Sequence, residues 1–346
     1  MAAGVPYTPA PMLHRTRFIA LALLAALVAA LAASCGGDDD ALTIYSGRGE
    51  ALVSPLFDRF TDETGIEVDV RYGSSGDLAL LIEEEGDNTP ADVFYSQSPG
   101  AVAFLAANDR LDAVAAETLE IVDPRFRDEG GLYVGVSGRQ RVLVYNSDLV
   151  DADELPDSVF DLTDDRFRGE VAVAPENGSF QDFVTAMRQI DGEQAAEEWL
   201  AGMAANQAPA YANNNAIVEA VGRGEVPMGL VNHYYNFRFL EEDPSLPSRN
   251  HGFAAGDTGG LVIASSASVV RGTDRPEEAQ EFIEFLLQED AQTYFAEETF
   301  EYPLRPGVDP PVEVTPLEDL RPPAFDVSEG TDLRGTAVLI RDSGLQ

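Results

Sequence analysis

The chain has 346 residues, 61 of them acidic and 22 basic, for a formal net charge of -39. That charge excludes nucleic acid as a partner, because phosphates repel it. Every basic residue is Arg, so neither a Walker A loop nor a pyridoxal Schiff base, both of which need Lys, can be built.

At the N-terminus, His14, Arg15 and Arg17 precede an apolar run from Phe18 to Leu31, and Ala32-Ala-Ser-Cys35 follows. This reads as an export signal, since the run is shorter than the roughly 20 residues a spanning helix needs. Small residues before Cys35 resemble the lipobox of bacterial lipoproteins, with Ala32 where a lipobox usually carries Leu. On this reading residues 1–34 are a lipoprotein signal peptide and Cys35 is the lipidated first residue. Residues 35–41 are then an acidic tether holding the protein to the extracytoplasmic face of the cell membrane. An uncleaved anchor or a secreted form is the alternative. Cys35 is the only cysteine, so the exported part has no intramolecular disulfide and no thiolate metal site. The remainder is longer than one core usually holds, which predicts two lobes.

Leu42 to Ser46 reads as a strand and Glu50 to Glu63 as a helix with Leu52, Leu56, Phe57 and Phe60 inward. Ile66 to Tyr72 is a second strand, Asp77 to Glu84 a helix, and Ala91 to Ser96 a third strand. Such alternation predicts an α/β fold with mostly parallel sheets and helices on both faces. Further strands are expected at Leu132 to Val136, Arg141 to Tyr145, Val171 to Ala174, Val226 to Val231 and Leu261 to Val270. A long helix is expected from Pro276 to about Phe295. The Pro-rich stretch Pro303 to Pro323 reads as extended surface chain, and Gly335 to Asp342 as a return to the fold. No internal repeat is visible.

Three features bear on chemistry. Ser46-Gly-Arg-Gly-Glu50 sits between a strand and a helix, but Leu52 replaces the third glycine of a dinucleotide fingerprint. A glycine turn whose amides, with Arg48, face a crevice is the simpler reading. Outside the signal the only histidines are His233 and His251, and neither lies in a nucleophile-elbow pattern, so hydrolase chemistry is disfavoured. The dipeptide Tyr234-Tyr235 follows a short strand, and Asn232 is placed to cap a helix through Phe237 and Leu240. Adjacent side chains at a helix start lie about 100° apart and can converge on one hard cation. The competing reading is two half-buried phenols with satisfied hydroxyls.

In order along the chain, Tyr45-Ser-Gly-Arg-Gly-Glu50, Pro90-Ala-Asp-Val-Phe-Tyr-Ser96, Ser137-Gly-Arg-Gln-Arg-Val-Leu-Val-Tyr145, Tyr211-Ala-Asn-Asn214, Asn232-His-Tyr-Tyr235 and Glu301-Tyr-Pro-Leu304 resemble the ferric-ion-binding proteins of bacterial ABC importers. These are type II periplasmic binding proteins. The resemblance implies two α/β lobes joined by two crossover strands, with lobe 1 at 42–138 plus about 265–314 and lobe 2 at about 139–264 plus 315–346. It implies no enzyme but a monomeric carrier of ferric iron with a synergistic anion (carbonate, phosphate or citrate), serving a permease and its ATPase subunits. Tyr234 and Tyr235 correspond to the family's phenolate ligands. Asn177-Gly178-Ser179, Asn214 and Asn232 fall where the family binds the anion, and Arg139 where it places a cleft arginine. Asn177 also looks like a helix start whose amides could hold that anion.

The chain departs from the pattern in two places: Gly49 replaces a histidine ligand and Gln97 a glutamate ligand. Where one branch has a third ligand tyrosine, this chain has Phe180. Arg48 is placed to pair with an anion that fills the sphere, while Tyr45 and Tyr95 are cleft candidates that strand positions more often bury. His233 is expected to be solvated or to support a neighbouring ligand rather than to bind metal. The departures keep open a binding protein for a small anion or organic solute such as phosphonate, thiamine or polyamine.

Overall fold

Strands β1 (Leu42–Ser46), β2 (Val68–Tyr72) and β3 (Val93–Ser96) pair in parallel, with β1 between the other two. The computed structural model describes Met1, Gly4 and residues 41–310, 314–317, 319–323 and 332–345. The export signal and Cys35 therefore lie outside the described residues. Helices Glu50–Thr64 and Ser75–Glu85 make the crossovers that parallel pairing requires. The first ends at Gly65 in the left-handed conformation, and the second starts where the Ser74 side chain accepts from Asp77 N. All four residues of β3 are buried, as in a strand covered on both faces.

The other strands are β4 (Leu111–Asp112), β5 (Val134–Asn146), β6 (Val171–Ala172), β7 (Met228–Asn232), β8 (Ser248–His251), β9 (Val262–Val270) and β10 (Tyr302–Pro303). They form one path in the order β2-β1-β3-β9-β5-β7-β6, with β4 also on β9 and both β8 and β10 on β5. Parallel pairs stand at the two ends, β1 with β2 and β3, and β6 with β7. Between them β5 and β9 run antiparallel to each other and to their outer neighbours β7 and β3. These two long strands join the lobes. One lobe's core has Phe57, Phe60, Phe282 and Phe285 in edge-to-face contacts at 5.1–5.4 Å. The other is built on Phe180, Phe183 and Trp199, whose indole N–H donates to Val159 O at 2.9 Å.

Two sequence expectations are corrected. The separate strands at Leu132–Val136 and Arg141–Tyr145 are one 13-residue strand, β5. Gly138 within it lets β10 approach closely, because a Cβ there would press within 3.2 Å of Leu304 and Tyr302. The long helix from Pro276 is two, Pro276–Leu286 and Glu289–Glu297, separated at extended Gln288. Gln292 Nε2 donates to Leu286 O at 2.8 Å, satisfying an orphan carbonyl at the first helix's end, while Leu287 stays buried.

Where the Pro-rich stretch begins, Tyr302–Pro303 is strand β10. The C-terminal helix Leu333–Asp342 returns to the fold against helix Gly178–Ile190 through Thr336–Thr185 (2.7 Å) and Arg188–Asp332 (2.9 Å). Among the described residues no helix is long and apolar enough to cross a membrane.

Candidate functional site

Strand β7 ends at Asn232 and helix His233–Glu242 begins at the next residue, so Tyr234 and Tyr235 occupy its first turn. Asn232 stands at the cap position without capping, since its side chain accepts no backbone bond there. The two phenol rings are stacked, with centroids 4.2 Å apart and planes 27° from parallel. Tyr234 is buried and Tyr235 half-buried. Burial, and then the neighbouring Tyr235, raise the Tyr234 pKa well above the ordinary phenol value, while Arg48 and Arg139 pull it down.

Three buried arginines surround the tyrosines. Arg48 pairs with Glu301 at 2.5 Å with both side chains fully excluded from solvent, and Thr299 Oγ1 also donates to Glu301, at 3.1 Å. Burial opposes the Arg48 charge, but Glu301 and the phenols of Tyr95, Tyr234 and Tyr235 outweigh it and raise the pKa. The Tyr95 hydroxyl is pushed up to about 12 by burial, with Arg48 opposing. Arg139 and Arg141 stand two apart on β5 and share a strand face. Arg139 donates to the Gln97 carbonyl. Arg141 donates to Leu230 O at 3.1 Å and makes long contacts to Ser179 (3.4 Å) and Asn232 (3.5 Å). Burial lowers the Arg141 pKa to about 9 despite the opposing pull of Tyr235 and Asp182. The Nε atoms of Arg48, Arg139 and Arg141 and the Nη1 atoms of Arg48 and Arg139 are buried without a hydrogen-bond partner. Such donors are costly to leave unpaired and suit an anion.

Helix Gly178–Ile190 starts at Asn177, whose side-chain oxygen accepts from Ser179 N at 3.0 Å and Ser179 Oγ at 2.7 Å. Asn214 donates to Ser179 Oγ at 3.0 Å, and its own Oδ1 is buried without a partner, as is Nδ2 of Asn232. One turn along, buried Asp182 accepts from Ser98 Oγ at 2.5 Å. Burial pushes the Asp182 carboxyl up to about 6, against Ser98, Arg139 and Arg141. A cavity of about 840 Å³ is lined by Gly47, Gln97 and Ser98 on one side and by Asn177, Gly178, Ser179 and Asp182 on the other. Gly47 permits the close approach there, because a Cβ would lie 2.0 Å from Ser75 Oγ.

Gly49 is exposed at the cap of helix Glu50–Thr64, and a Cβ there meets only Leu52, at 4.0 Å. Tyr45 is in the core with its hydroxyl on Glu85 at 3.1 Å, and Phe180 packs on Trp199 with ring centroids 6.1 Å apart. The expectation of a solvated His233 is corrected: the ring is buried 4.8 Å from that of Tyr302, and Nδ1 accepts from Gln140 N at 3.1 Å. Burial holds its pKa down to about 4, so it is neutral at pH 7. Arg141, Asp182, Ser98 and Glu301 were missed as site residues in the sequence. Arg141 was detectable from its spacing to Arg139 on one strand. Among the described residues, no group of three or more His, Cys, Asp or Glu side chains is placed to hold a metal ion.

Two lobes flanking a polar cleft define a binding protein, and comparison with known proteins narrows the class. A sequence profile described as bacterial extracellular solute-binding protein matches residues 88–321. The Fe(3+)-binding periplasmic protein of Serratia marcescens is 31% identical over 94% of this chain and 97% of its own. Iron-bound HitA from Pseudomonas aeruginosa has a similar structure, with a TM-score of 0.83 and 36% identity over 88% of this chain and 99% of that one. Trichodesmium IdiA (FutA), in complex with iron and citrate, has a TM-score of 0.76 and 28% identity over 88% of this chain and 100% of its own. The chain belongs to the bacterial extracellular solute-binding proteins, in the family of the ferric-ion-binding proteins.

Proposed function

We propose that this protein carries ferric iron with a synergistic anion in its cleft and delivers it to a membrane permease driven by ATPase subunits. Tyr234 and Tyr235 are the iron ligands in this reading. The observation that carries it is the stacking of these phenols at a helix start beside three buried guanidinium groups. A trivalent hard cation prefers oxygen donors and favours the ionised phenol, so binding releases protons and weakens in acid. Carbonate, phosphate or citrate would complete the sphere, held by the amides of Asn177-Gly178-Ser179, by Asn214 and Asn232, and by Arg48, Arg139 and the newly found Arg141. Gly49 and Gln97 supply no charged ligand, so the anion fills more of the sphere. The iron-bound and the iron- and citrate-bound relatives support this assignment. Lobes at 42–138 plus about 265–314 and about 139–264 plus 315–346 would close over the cargo, with the protein a monomer tethered outside the cytoplasm through lipidated Cys35.

The test is visible absorbance of metal-stripped protein titrated with ferric citrate, or with ferric ion plus bicarbonate, at neutral pH. A saturable charge-transfer band at one equivalent, absent in the Tyr234→Phe, Tyr235→Phe double variant, is expected. A second reading, a carrier of a small anion or organic solute, is favoured by the cavity of about 840 Å³, which neither tyrosine lines. Absence of any band in the wild type would select it.

A further inference from the structure

Resting on the reading of the cleft as an iron-and-anion site, we propose that Asp182 selects the anion by its hydrogens. The cleft then admits oxyanions that can donate one, such as hydrogen phosphate or hydrogen carbonate, and rejects sulfate. Asp182 follows Ser179 by three residues on helix Gly178–Ile190, so the two side chains share a helix face, and both line the same cavity. The carboxylate is only 5% exposed. Its one hydrogen-bond donor among the described residues is Ser98 Oγ, which reaches Oδ1 at 2.5 Å from the opposite wall. Burial pushes its pKa up to about 6, with the Ser98 hydroxyl and the charges of Arg139 and Arg141 opposing, so the carboxylate is the main form at pH 7.5. Their unpartnered Nε atoms and the free Oδ1 of Asn214 make this a built polar site rather than a bare helix start.

An ionised carboxylate only accepts hydrogen bonds. An anion held by the neighbouring guanidinium and amide donors puts its own oxygens near Asp182, and one of those oxygens must carry a hydrogen or two acceptors confront each other. Phosphate retains a hydrogen at pH 7.5 and sulfate has none, though their shape and charge are nearly the same. Discrimination thus arises from a repulsive element, the usual route to specificity between isosteres. Asparagine at this position would offer an N–H₂ donor to sulfate.

The experiment loads metal-stripped protein with one equivalent of ferric nitrilotriacetate at pH 7.5 and titrates phosphate or sulfate, following the charge-transfer band. Wild type is expected to prefer phosphate by roughly tenfold or more. Asp182→Asn is expected to bring the ratio to about one or below, and Asp182→Glu to retain a preference. Ser98→Ala, which leaves the carboxylate in place, should also retain it and serves if Asp182→Asn does not fold. An unchanged ratio in Asp182→Asn, no preference in wild type, or loss of preference in Ser98→Ala would overturn the proposal. Failure of the iron reading shows separately, as no band with either anion. Thermal shift of the metal-free protein in the two salts then still decides the anion preference.

Discussion

Glu301→Gln tests how the charged floor of the site is held together. The substitution keeps the shape of the side chain and removes the one anion paired with Arg48, at 2.5 Å and zero exposure on both sides. Removing one partner of a buried pair costs about 3–5 kcal/mol, because the remaining charge stays desolvated and uncompensated. At a few degrees of melting temperature per kcal/mol, a drop of roughly 10 °C is expected in thermal melts of the metal-free protein. The pair itself is poorly satisfied, since Glu301 Oε1 and Arg48 Nε and Nη1 have no partner. Replacing both by apolar groups of similar volume, Arg48→Met with Glu301→Leu, should therefore return stability to within about 1 kcal/mol of wild type or exceed it. The same double variant should bind ferric citrate more weakly, because the pull of Arg48 that eases ionisation of Tyr234 is larger than the opposing push of Glu301. The reasoning is refuted if Glu301→Gln costs less than about 1 kcal/mol, or if the double variant is as unstable as the single one.

Asp182→Asn has a second, separable consequence. The carboxyl pKa rises from 3.8 to about 6 on folding, so the stability it contributes is complete below 3.8 and lost as pH rises through 6. The variant should gain about 3 kcal/mol over wild type at pH 7.5 and about half that at pH 5 in urea melts; a pH-independent gain would contradict this. Gln292→Leu should cost about 4 kcal/mol or more, since this buried amide donates to Val136 and Leu286 carbonyls (both 2.8 Å) and accepts from Leu304 and Arg305 N–H groups (2.7 and 3.2 Å). A loss below about 1 kcal/mol in the same melts would mean those groups find other partners. Gly49→His fits the open space at an exposed cap and should leave the melting temperature nearly unchanged. On the proposed reading it supplies an imidazole ligand and slows iron loss to a chelator about tenfold, a 1.4 kcal/mol gain; identical loss rates would place Gly49 away from the metal.

What could be read in the sequence was what local rules govern. The β1-to-β3 alternation and the Tyr234-Tyr235 helix start are set by apolar spacing and glycine within a few residues, and the structure has them at nearly the expected places. The rest depended on partners distant in the chain. Arg48 and Glu301 are 253 positions apart, and no local pattern shows that they meet. His233 looked solvated among polar neighbours because Tyr302, the ring it packs on, arrives from β10. The break at Gln288 followed from a buried amide reaching back to Leu286, which the continuous apolar spacing from Pro276 to Phe295 conceals. Asp182 drew no reading at all, because Ser98, the hydroxyl that meets it, lies 84 positions away in the chain.

Strand β5 changes partners in its middle: Gln140 is the last residue paired with β9, and Arg141 is the first paired with β7. The two cleft arginines that point the same way thus straddle the switch between the two lobes' ladders. If the lobes close over a cargo as proposed, gripping and bending fall on the same few peptide units. A cargo that pulled on both guanidinium groups would then apply its load at that switch rather than at the end of a long lever. On that reading small differences in cargo charge would act on lobe angle with no intervening relay, and a substitution within these few residues should alter affinity and closure together, never one alone.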